Sequence, residues 1–464
     1  MRVALFTPLS PVRSALVDHM EGLLPLLTKR LDITVVTDGS YVPTHPLLSG
    51  NGGSVPWLGY ADFGRQAKAF DLIVYQLGDE PSIHGYMFDA LHRYPGLLLL
   101  HDLVLQHAIM GLTLNQGRPR AYIEEMCYSY GDKGEDLARE VMAGRGEGLF
   151  MRYPLVERVL DSSLAVVGFN THMCDRIRAM RVDIPVHYLP YQFYLPKVFP
   201  KDFDGALFRE QLGLQDVTVI ASLGLFTAQK RLEVALEAFR RLLELHPDAT
   251  YLLVGAPDAH YSELRNRLDS MGLGERVQLT GWLPPKEFTK YMLVADLAVQ
   301  LRYPHVGGTP YTPIRLLGLG VPTIVSDIGP LADIPADCVV RVEPNAAGEE
   351  AYLLAAMDYL LTHKDVAWAL GRNGQAYVSK YHDLKYVADK LVDFIQEIAA
   401  RRGDLEECVR SVKAKAGSSS TSCEGLVQIT ASALAGMGIS LSDSSYSRSI
   451  AKAIRSLTSG SSQK

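Results

Sequence analysis

The sequence is poor in cysteine and has no excess of positive charge. Its five cysteines are scattered through 464 residues and form no Cys-x-x-Cys spacing, at positions Cys127, Cys174, Cys338, Cys408 and Cys423. An odd, scattered set predicts reduced thiols and argues against a disulfide framework or a zinc site. Lysine and arginine number 46 against 52 acidic residues, giving a net charge of −6. That balance argues against nucleic acid as a partner.

Long apolar runs are also absent. No stretch approaches the roughly 18 apolar residues of a membrane span. Residues 1–9 form a strand-like run rather than the charged start, apolar centre and cleavage site of a signal peptide. Together these absences predict a cytoplasmic location. A length of 464 residues with 47% hydrophobic content predicts more than one packed domain.

Apolar runs of strand length alternate with helical patterns along most of the chain. The first series begins at residues 2–7 and continues to 186–189, and a second begins at 217–223 and continues to 338–342. This alternation predicts an α/β fold with two doubly wound parallel sheets. The predicted divisions are an N-terminal domain at 1–200, a second domain at 201–383, a bracing helix at 384–402 and a Ser-rich flexible tail at 403–464.

Two glycine-containing stretches in the second half predict phosphate binding. Gly224 follows a strand, and Lys230 and Arg231 precede a helix, so two cations near a helix N-terminus could neutralise a diphosphate without a metal. The alternative is a solvated helix start. In the stretch 301–327, a glycine loop precedes a helix for which Thr312 is the predicted N-cap. Free N–H groups and the helix dipole there suit a phosphate, although an ordinary strand–helix connection is the alternative.

A third motif, Asp202-Phe-Asp204, has the spacing of a metal-binding pair. It lies in a predicted linker at 196–204 and directly before a predicted helix at 206–212. We interpret it as helix capping, and the sequence predicts no metal site.

Several of these motifs, taken in order, resemble the donor domain of glycosyltransferase family four. They are Gly224, Lys230, residues 253–255, residues 279–284, Ala295-Asp296 and Gly320-Val321-Pro322. The resemblance covers residues 1–400 and implies the GT-B fold, in which two Rossmann-like domains face each other across a cleft. It also implies a retaining enzyme that depends on a nucleotide sugar.

The resemblance implies roles for particular donor-side residues. Lys230 would bind the donor phosphates, with Gly224 at the turn and Arg231 as a secondary cation. Gly281 and Leu283 would flank the nucleobase. The remaining donor-side residues would face the transferred sugar and the β-phosphate, namely Gly307, Gly308, Thr309 and Arg315.

Two departures from the family pattern concern charge. The family's usual glutamate pair falls on Gly307 and Arg315. A related bacterial pattern has Gly-Glu-Thr in the loop and arginine in the helix, so Arg315 fits it, but Gly308 stands in place of the glutamate. The family's arginine after the phosphate-loop glycine is replaced by Leu225. A carboxylate for sugar hydroxyls and a cation for phosphate are therefore both missing from the sequence pattern.

The N-terminal half matches the same bacterial pattern around His101 and Asp102. Both residues directly follow a buried strand, and ligands bind at the carboxyl ends of strands in open α/β sheets. The resemblance implies that His101 lies near the reacting sugar, where it stabilises and positions, with Asp102 in the acceptor pocket. Ser14, Gly78 and His84 are assigned to acceptor binding. A capping aspartate and a structural histidine are the alternative.

The sequence therefore favours a retaining glycosyltransferase that moves a sugar from a nucleoside diphosphate to a carbohydrate or lipid-linked acceptor, as in polysaccharide biosynthesis. No cofactor or metal is expected beyond the nucleotide-sugar co-substrate. Two alternatives stay open: a weak or inactive partner subunit with the same fold, and a nucleotide-sugar epimerase, which would need acid/base groups in the cleft. A peripheral contact at the inner face of a membrane and a protein partner bound by the tail also stay open.

Overall fold

The computed structural model describes residues 1–193 and 203–417. Residues 196–202 of the predicted linker and the Ser-rich residues from 418 onward lie outside the described residues. The described chain forms two α/β domains, each built on one parallel sheet.

The first sheet has seven parallel strands in the order β3-β2-β1-β4-β5-β6-β7. β4 and β5 are buried along their whole length, as expected for strands covered by helices on both faces. The strands are β1 (Arg2–Phe6), β2 (Asp32–Thr37), β3 (Trp57–Gly59), β4 (Leu72–Leu77), β5 (Gly96–Leu100), β6 (Ser163–Gly168) and β7 (Val186–Tyr188).

The second sheet has six parallel strands in the order β10-β9-β8-β11-β12-β13. In both sheets the strand order reverses beside the first strand, between β1 and β4 and between β8 and β11. The carboxyl ends of strands at such a reversal form the crevice where ligands bind. The strands are β8 (Val219–Leu223), β9 (Thr250–Val254), β10 (Val277–Leu279), β11 (Leu297–Gln300), β12 (Thr323–Ser326) and β13 (Val340–Val342).

Helices cover both faces of each sheet. Those of the first domain are α1 (Ala15–Leu27), α2 (Tyr60–Phe63), α3 (Pro81–Arg93), α4 (Gln106–Leu112), α5 (Pro119–Tyr130), α6 (Lys133–Met142), α7 (Glu157–Asp161) and α8 (Thr171–Met180). Those that follow are α9 (Gly205–Gln211), α10 (Leu232–Leu242), α11 (Leu264–Ser270), α12 (Pro285–Leu293), α13 (Tyr311–Gly318), α14 (Glu349–Thr362), α15 (Lys364–Tyr381), α16 (Leu384–Ala400) and α17 (Arg402–Gly417).

The last two helices return to the first domain. Leu391 and Ile395 of α16 are buried in the same cluster as Leu23 of α1 and side chains of the first sheet. Leu405 and Val409 of α17 join that cluster with 6% and 4% exposure. The prediction of a flexible tail from residue 403 is therefore wrong at its start, because two apolar positions four residues apart bury one face of α17.

Local capping departs from the sequence prediction at one helix and agrees at another. The N-cap of α13 is Pro310, without a side-chain hydrogen bond, so Thr312 lies inside the helix and not at its cap. Asp204 caps α9 as predicted, and its Oδ1 accepts from the N–H groups of Ala206 and Leu207 at 2.9 and 3.1 Å. Within the described part of the chain, no helix is long and apolar enough to cross a membrane.

Candidate active site in the interdomain cleft

The two sheets point their carboxyl ends at a shared cavity of about 890 Å³. The first domain supplies the loop after β1 and the ends of β4 and β5, and the second supplies the loops after β8, β9, β10 and β11. Ten of the residues predicted for the site line this cavity: Ser14, Gly78, His84, His101, Asp102, Gly224, Leu283, Gly308, Thr309 and Arg315.

The glycine loop before α13 is hydrogen-bonded directly to the first domain. The N–H of Val104 donates to Val306 O at 3.0 Å, and Asn170 Nδ2 donates to Gly307 O at 3.0 Å. Thr309 Oγ1 donates to Phe169 O at 2.8 Å and accepts from Asn170 Nδ2 at 2.9 Å. The hydroxyl of Thr309 therefore bridges the two domains.

His101 lies at the base of the cavity in an aromatic environment. Its ring stacks on Phe169 with centroids 4.4 Å apart, and Nδ1 lies 2.5 Å from the hydroxyl of Tyr191. The residue is 2% exposed, and burial holds the pKa of the imidazole well below its usual value, so the ring is neutral. Among the described residues Nε2 has no hydrogen-bond partner, so one ring nitrogen remains to contact a ligand.

Asp102 lies beside two glycines that leave room for its carboxylate. A Cβ on Gly78 would lie 3.2 Å from Asp102 Oδ2 and 3.4 Å from His84 Nε2. A Cβ on Gly308 would lie 2.4 Å from Asp102 Oδ1 and 2.5 Å from His101 O. No side chain therefore fits at position 308 with the domains in this arrangement, which gives a packing reason for the missing loop glutamate.

Asp79 and its partner His107 influence the protonation of Asp102. Oδ2 accepts from the N–H of Asp79 at 3.1 Å, and Asp79 is itself paired with His107 at 2.6 Å. Burial, and secondarily the charge of Asp79, raise the pKa of Asp102 to about 6. His84, which is 1% exposed, has its pKa lowered by burial to about 4. At neutral pH His84 and His101 are therefore neutral, and Asp102 protonates more readily than an exposed carboxylate does.

The phosphate loop is built from two glycines that pass very close to each other. Gly224 and Gly255 have φ angles of 116° and 141°, and a Cβ on Gly255 would lie 1.9 Å from Gly224 O. Lys230 folds back over this turn, where Nζ donates to Leu223 O at 3.1 Å and to Gln300 Oε1 at 3.3 Å. Burial, and then the charge of Arg302, lower the pKa of Lys230 to about 7. Two neutral oxygens thus hold the lysine beside Gly224, where a Cβ would lie 3.4 Å from Lys230 Nζ. Gly224 lines the cavity, whereas Lys230 lies behind it and is not a lining residue.

Comparison with known proteins assigns the second half of the chain. Residues 206–377 match the family model described as glycosyl transferases group 1. These residues form a group 1 glycosyltransferase domain. A curated relative, mannosylfructose-phosphate synthase of Agrobacterium fabrum, is 28% identical over 155 residues, which are 32% of this chain and 33% of that protein. The chain therefore spans about a third of the length of the curated relative that it matches.

Solved structures extend the similarity to the whole fold. Sucrose-phosphate synthase of Thermosynechococcus elongatus has a TM-score of 0.60 at 17% identity, covering 86% of this chain and 99% of that one. HepE of Anabaena, solved with UDP and glucose, has a TM-score of 0.59 at 15% identity, covering 85% and 99%. The chain has the GT-B fold, which confirms the predicted fold class.

Other residues predicted for the donor site lie elsewhere in the glycosyltransferase domain. Arg231 points away from the cavity and forms a bidentate ion pair with Glu349 at the start of α14, with one contact at 3.0 Å. Glu349 is 6% exposed, so this pair is structural and Arg231 is not available as a secondary phosphate cation. Gly281 does not line the cavity, although its neighbour Trp282 does, with Arg13 stacked on the ring at 4.5 Å. Gly307 packs on Leu103 at the seam between the domains.

Arg315 and Ser14 line the cavity, but both have local partners. Arg315 Nη2 donates to Thr289 Oγ1 at 2.7 Å, and Ser14 Oγ caps α1 by accepting from Leu16 N at 3.2 Å. Sequence reasoning missed Arg302, which lines the cavity two residues after Gln300. Its place just beyond a buried strand was a usable signal, of the same kind that identified His101. In the described ranges no three His, Cys, Asp or Glu side chains are grouped to hold a metal.

Proposed function

We propose that this protein is a retaining glycosyltransferase that transfers a sugar from a nucleoside-diphosphate sugar to a carbohydrate or lipid-linked acceptor. The observation that carries the proposal is the position of Lys230 in the group 1 glycosyltransferase match: its Nζ lies over the turn at Gly224, and Gly224 lines the interdomain cavity of about 890 Å³. A cavity of this size is typical of small-molecule sites. HepE, which shares the fold, has been solved with UDP and with UDP-glucose, which supports a nucleoside diphosphate as the donor class.

Sugar transfer breaks the bond between the anomeric carbon and the diphosphate, and negative charge develops on the departing phosphate. A preorganised cation beside that phosphate stabilises the transition state more than the ground state. Lys230 supplies this charge in the proposal, so neither a metal nor a cofactor is needed. Because the pKa of Lys230 is about 7 in the free protein, an arriving diphosphate would also draw a proton onto the amine.

The first domain would hold the reacting sugar and the acceptor. His101 is neutral, and its unpartnered Nε2 can hydrogen-bond a sugar hydroxyl without bringing a competing charge. Asp102 and His84 line the same wall and would orient the acceptor. In a retaining reaction of this kind, the departing phosphate takes the proton of the acceptor hydroxyl, so no side chain is required as the base. A lipid-linked acceptor would place the reaction at a membrane surface.

Removal of the Lys230 charge tests the donor site. A charge-assisted hydrogen bond contributes roughly 1.5–3 kcal/mol, so Lys230→Ala should weaken nucleoside-diphosphate binding by about one to two orders of magnitude. Titration calorimetry of UDP, GDP and ADP measures this effect. Lys364→Ala, which removes an exposed lysine at the start of α15, is the matched control and should leave affinity unchanged.

Three outcomes would contradict parts of the proposal. Equal affinity of wild type and Lys230→Ala for a diphosphate that does bind would remove Lys230 from the donor site. If none of the three nucleotides binds the wild-type protein, a non-catalytic partner subunit becomes the better interpretation. Conversion of a nucleotide sugar to its epimer without an acceptor would instead identify an epimerase.

A further inference from the structure

Two side chains at the carboxyl end of β11 present buried hydrogen-bond donors that have no acceptor. Gln300 is 3% exposed, and its Nε2 has no hydrogen-bond partner in the part of the chain that the structure describes. Arg302 lines the cavity, and its buried Nε also has no hydrogen-bond partner within residues 1–193 and 203–417. Buried donors are almost always paired. Because Arg302 lines the cavity, its Nε is placed to donate to an acceptor that a bound ligand supplies.

The same place gathers positive charge. Lys230 Nζ is held by Leu223 O and Gln300 Oε1, both neutral, so no carboxylate offsets its charge through these contacts. Arg302 lies near enough that its charge disfavours protonation of Lys230. Arg302 lines the cavity and Lys230 lies next to the lining residue Gly224, so an anion bound there would stabilise two cations that disfavour each other.

The sheet order explains how the two cations meet. Lys230 folds back over the turn that follows β8, and Arg302 follows β11, which is hydrogen-bonded to β8 in the sheet. Both strands are parallel, so their carboxyl ends deliver these side chains to the same edge. Leu225, which directly follows the turn at Gly224, is apolar and 59% exposed and contributes no charge.

We propose that Arg302 is a second donor-phosphate residue, which binds the diphosphate from β11 while Lys230 binds it from the turn after β8. The inference rests on the proposed function and names a residue of the same site. A guanidinium presents a planar pair of N–H groups that matches two phosphate oxygens. Gln300 is a positioning residue in this arrangement, because its Oε1 accepts from Lys230 Nζ at 3.3 Å.

A competing role for Arg302 is to brace the two domains. Asp102 belongs to the first domain, and its charge favours the protonated guanidinium. If Arg302 only stabilises the contact between the domains, its loss should change the domain arrangement and lower the affinity for every ligand of the cavity. A phosphate residue would instead act on diphosphate binding and leave nucleoside binding unchanged. The two roles can therefore be distinguished by comparing how an Arg302 variant binds a nucleoside and the corresponding nucleoside diphosphate.

The test measures affinity for UDP, GDP and ADP, and for the corresponding nucleosides, by calorimetry, with melting temperature recorded for each variant. Arg302→Gln should lower the affinity for the nucleoside diphosphate that binds wild type by about 10-fold to 100-fold and leave the affinity for the nucleoside unchanged. Arg302→Lys keeps the charge but loses the planar pair of N–H groups, so it should lower the diphosphate affinity by less than Arg302→Gln does. Arg240→Gln removes a guanidinium on the outer surface of α10 and should change neither quantity.

Equal diphosphate affinity in Arg302→Gln and wild type would overturn the inference. It would leave the donor-site proposal intact if Lys230→Ala still weakens binding. An equal loss for nucleoside and diphosphate, together with a lower melting temperature, would show a brace and also overturn it. If Arg302→Gln does not fold, Arg302→Lys decides by the same comparison. If no diphosphate binds wild type, the inference and the proposed function both fail.

Discussion

A single methyl group at position 308 should test how closely the two domains meet. Gly308 belongs to the loop before α13, in the second domain, whereas His101 and Asp102 follow β5 of the first. The Cβ of Gly308→Ala would lie 2.5 Å from the backbone oxygen of His101 and 2.4 Å from Asp102 Oδ1. A carboxylate can rotate away, but the backbone oxygen follows a central strand and cannot. The methyl group must therefore either strain the seam or push the domains apart.

The size of the effect follows from these contacts. Overpacking a tight site by one methyl group costs about 1–3 kcal/mol. If the domains separate instead, the seam loses hydrogen bonds such as Val104 N to Val306 O, each worth about 1 kcal/mol. Either route lowers stability by a similar amount. Since 1 kcal/mol shifts the melting temperature of a domain of 150–250 residues by about 2–4 °C, a fall of several degrees is expected.

Differential scanning calorimetry and nucleotide titration should be run together on Gly308→Ala. Gly148→Ala is the control, because a Cβ there would meet nothing within 4 Å. Donor binding should also weaken in Gly308→Ala, since the seam forms one wall of the cavity. A variant with the wild-type melting temperature and nucleotide affinity would refute the reasoning, and would show that the loop has room for a side chain.

Two further predictions concern stability. Burial lowers the pKa of His19 to about 3, below its value of about 6.5 in the unfolded chain. The unfolded chain therefore binds more protons at acidic pH. Acidification from pH 7 to pH 5 should lower the free energy of unfolding by about 2 kcal/mol through this residue. The melting temperature of His19→Phe should therefore fall less between pH 7 and pH 5 than that of wild type. An identical fall in the two proteins would contradict this role of His19. Leu405→Ala should lower the free energy of unfolding by about 2–5 kcal/mol, because Leu405 is buried against the first domain. Denaturant unfolding measures this against the exposed control Glu407→Ala, and equal stability of the two variants would mean that α17 does not support the domain.

Much of the fold was predictable because its signals are local. The apolar runs predicted at the start and end of each series became β1, β7, β8 and β13. β3 was missed because its three residues, Trp57–Gly59, are half-buried and too few to show a period. The start of α13 was misplaced because Thr312 is a good capping residue by type, whereas the loop before it is held by bonds to the other domain.

The candidate site was predictable where function follows from a position at a strand end. His101, Asp102 and Gly224 were found in this way, and all three line the cavity. Arg231 was wrongly assigned because its neighbour Lys230 and a helix start suggest phosphate, while its partner Glu349 lies far along the chain. The residues near position 231 give no signal that Arg231 pairs with Glu349.

The amino-acid sequence by itself determined the alternation of strands and helices, the glycine turns and the identity of the polar residues at strand ends, because each depends on a few neighbouring residues. Only the tertiary structure decided which of those residues meet. It brought Arg302 to Lys230, turned Arg231 away and set Gly308 against Asp102. Such pairings depend on sheet order and domain contact. The charge states of these residues depend on burial, which arises only when distant segments exclude water together.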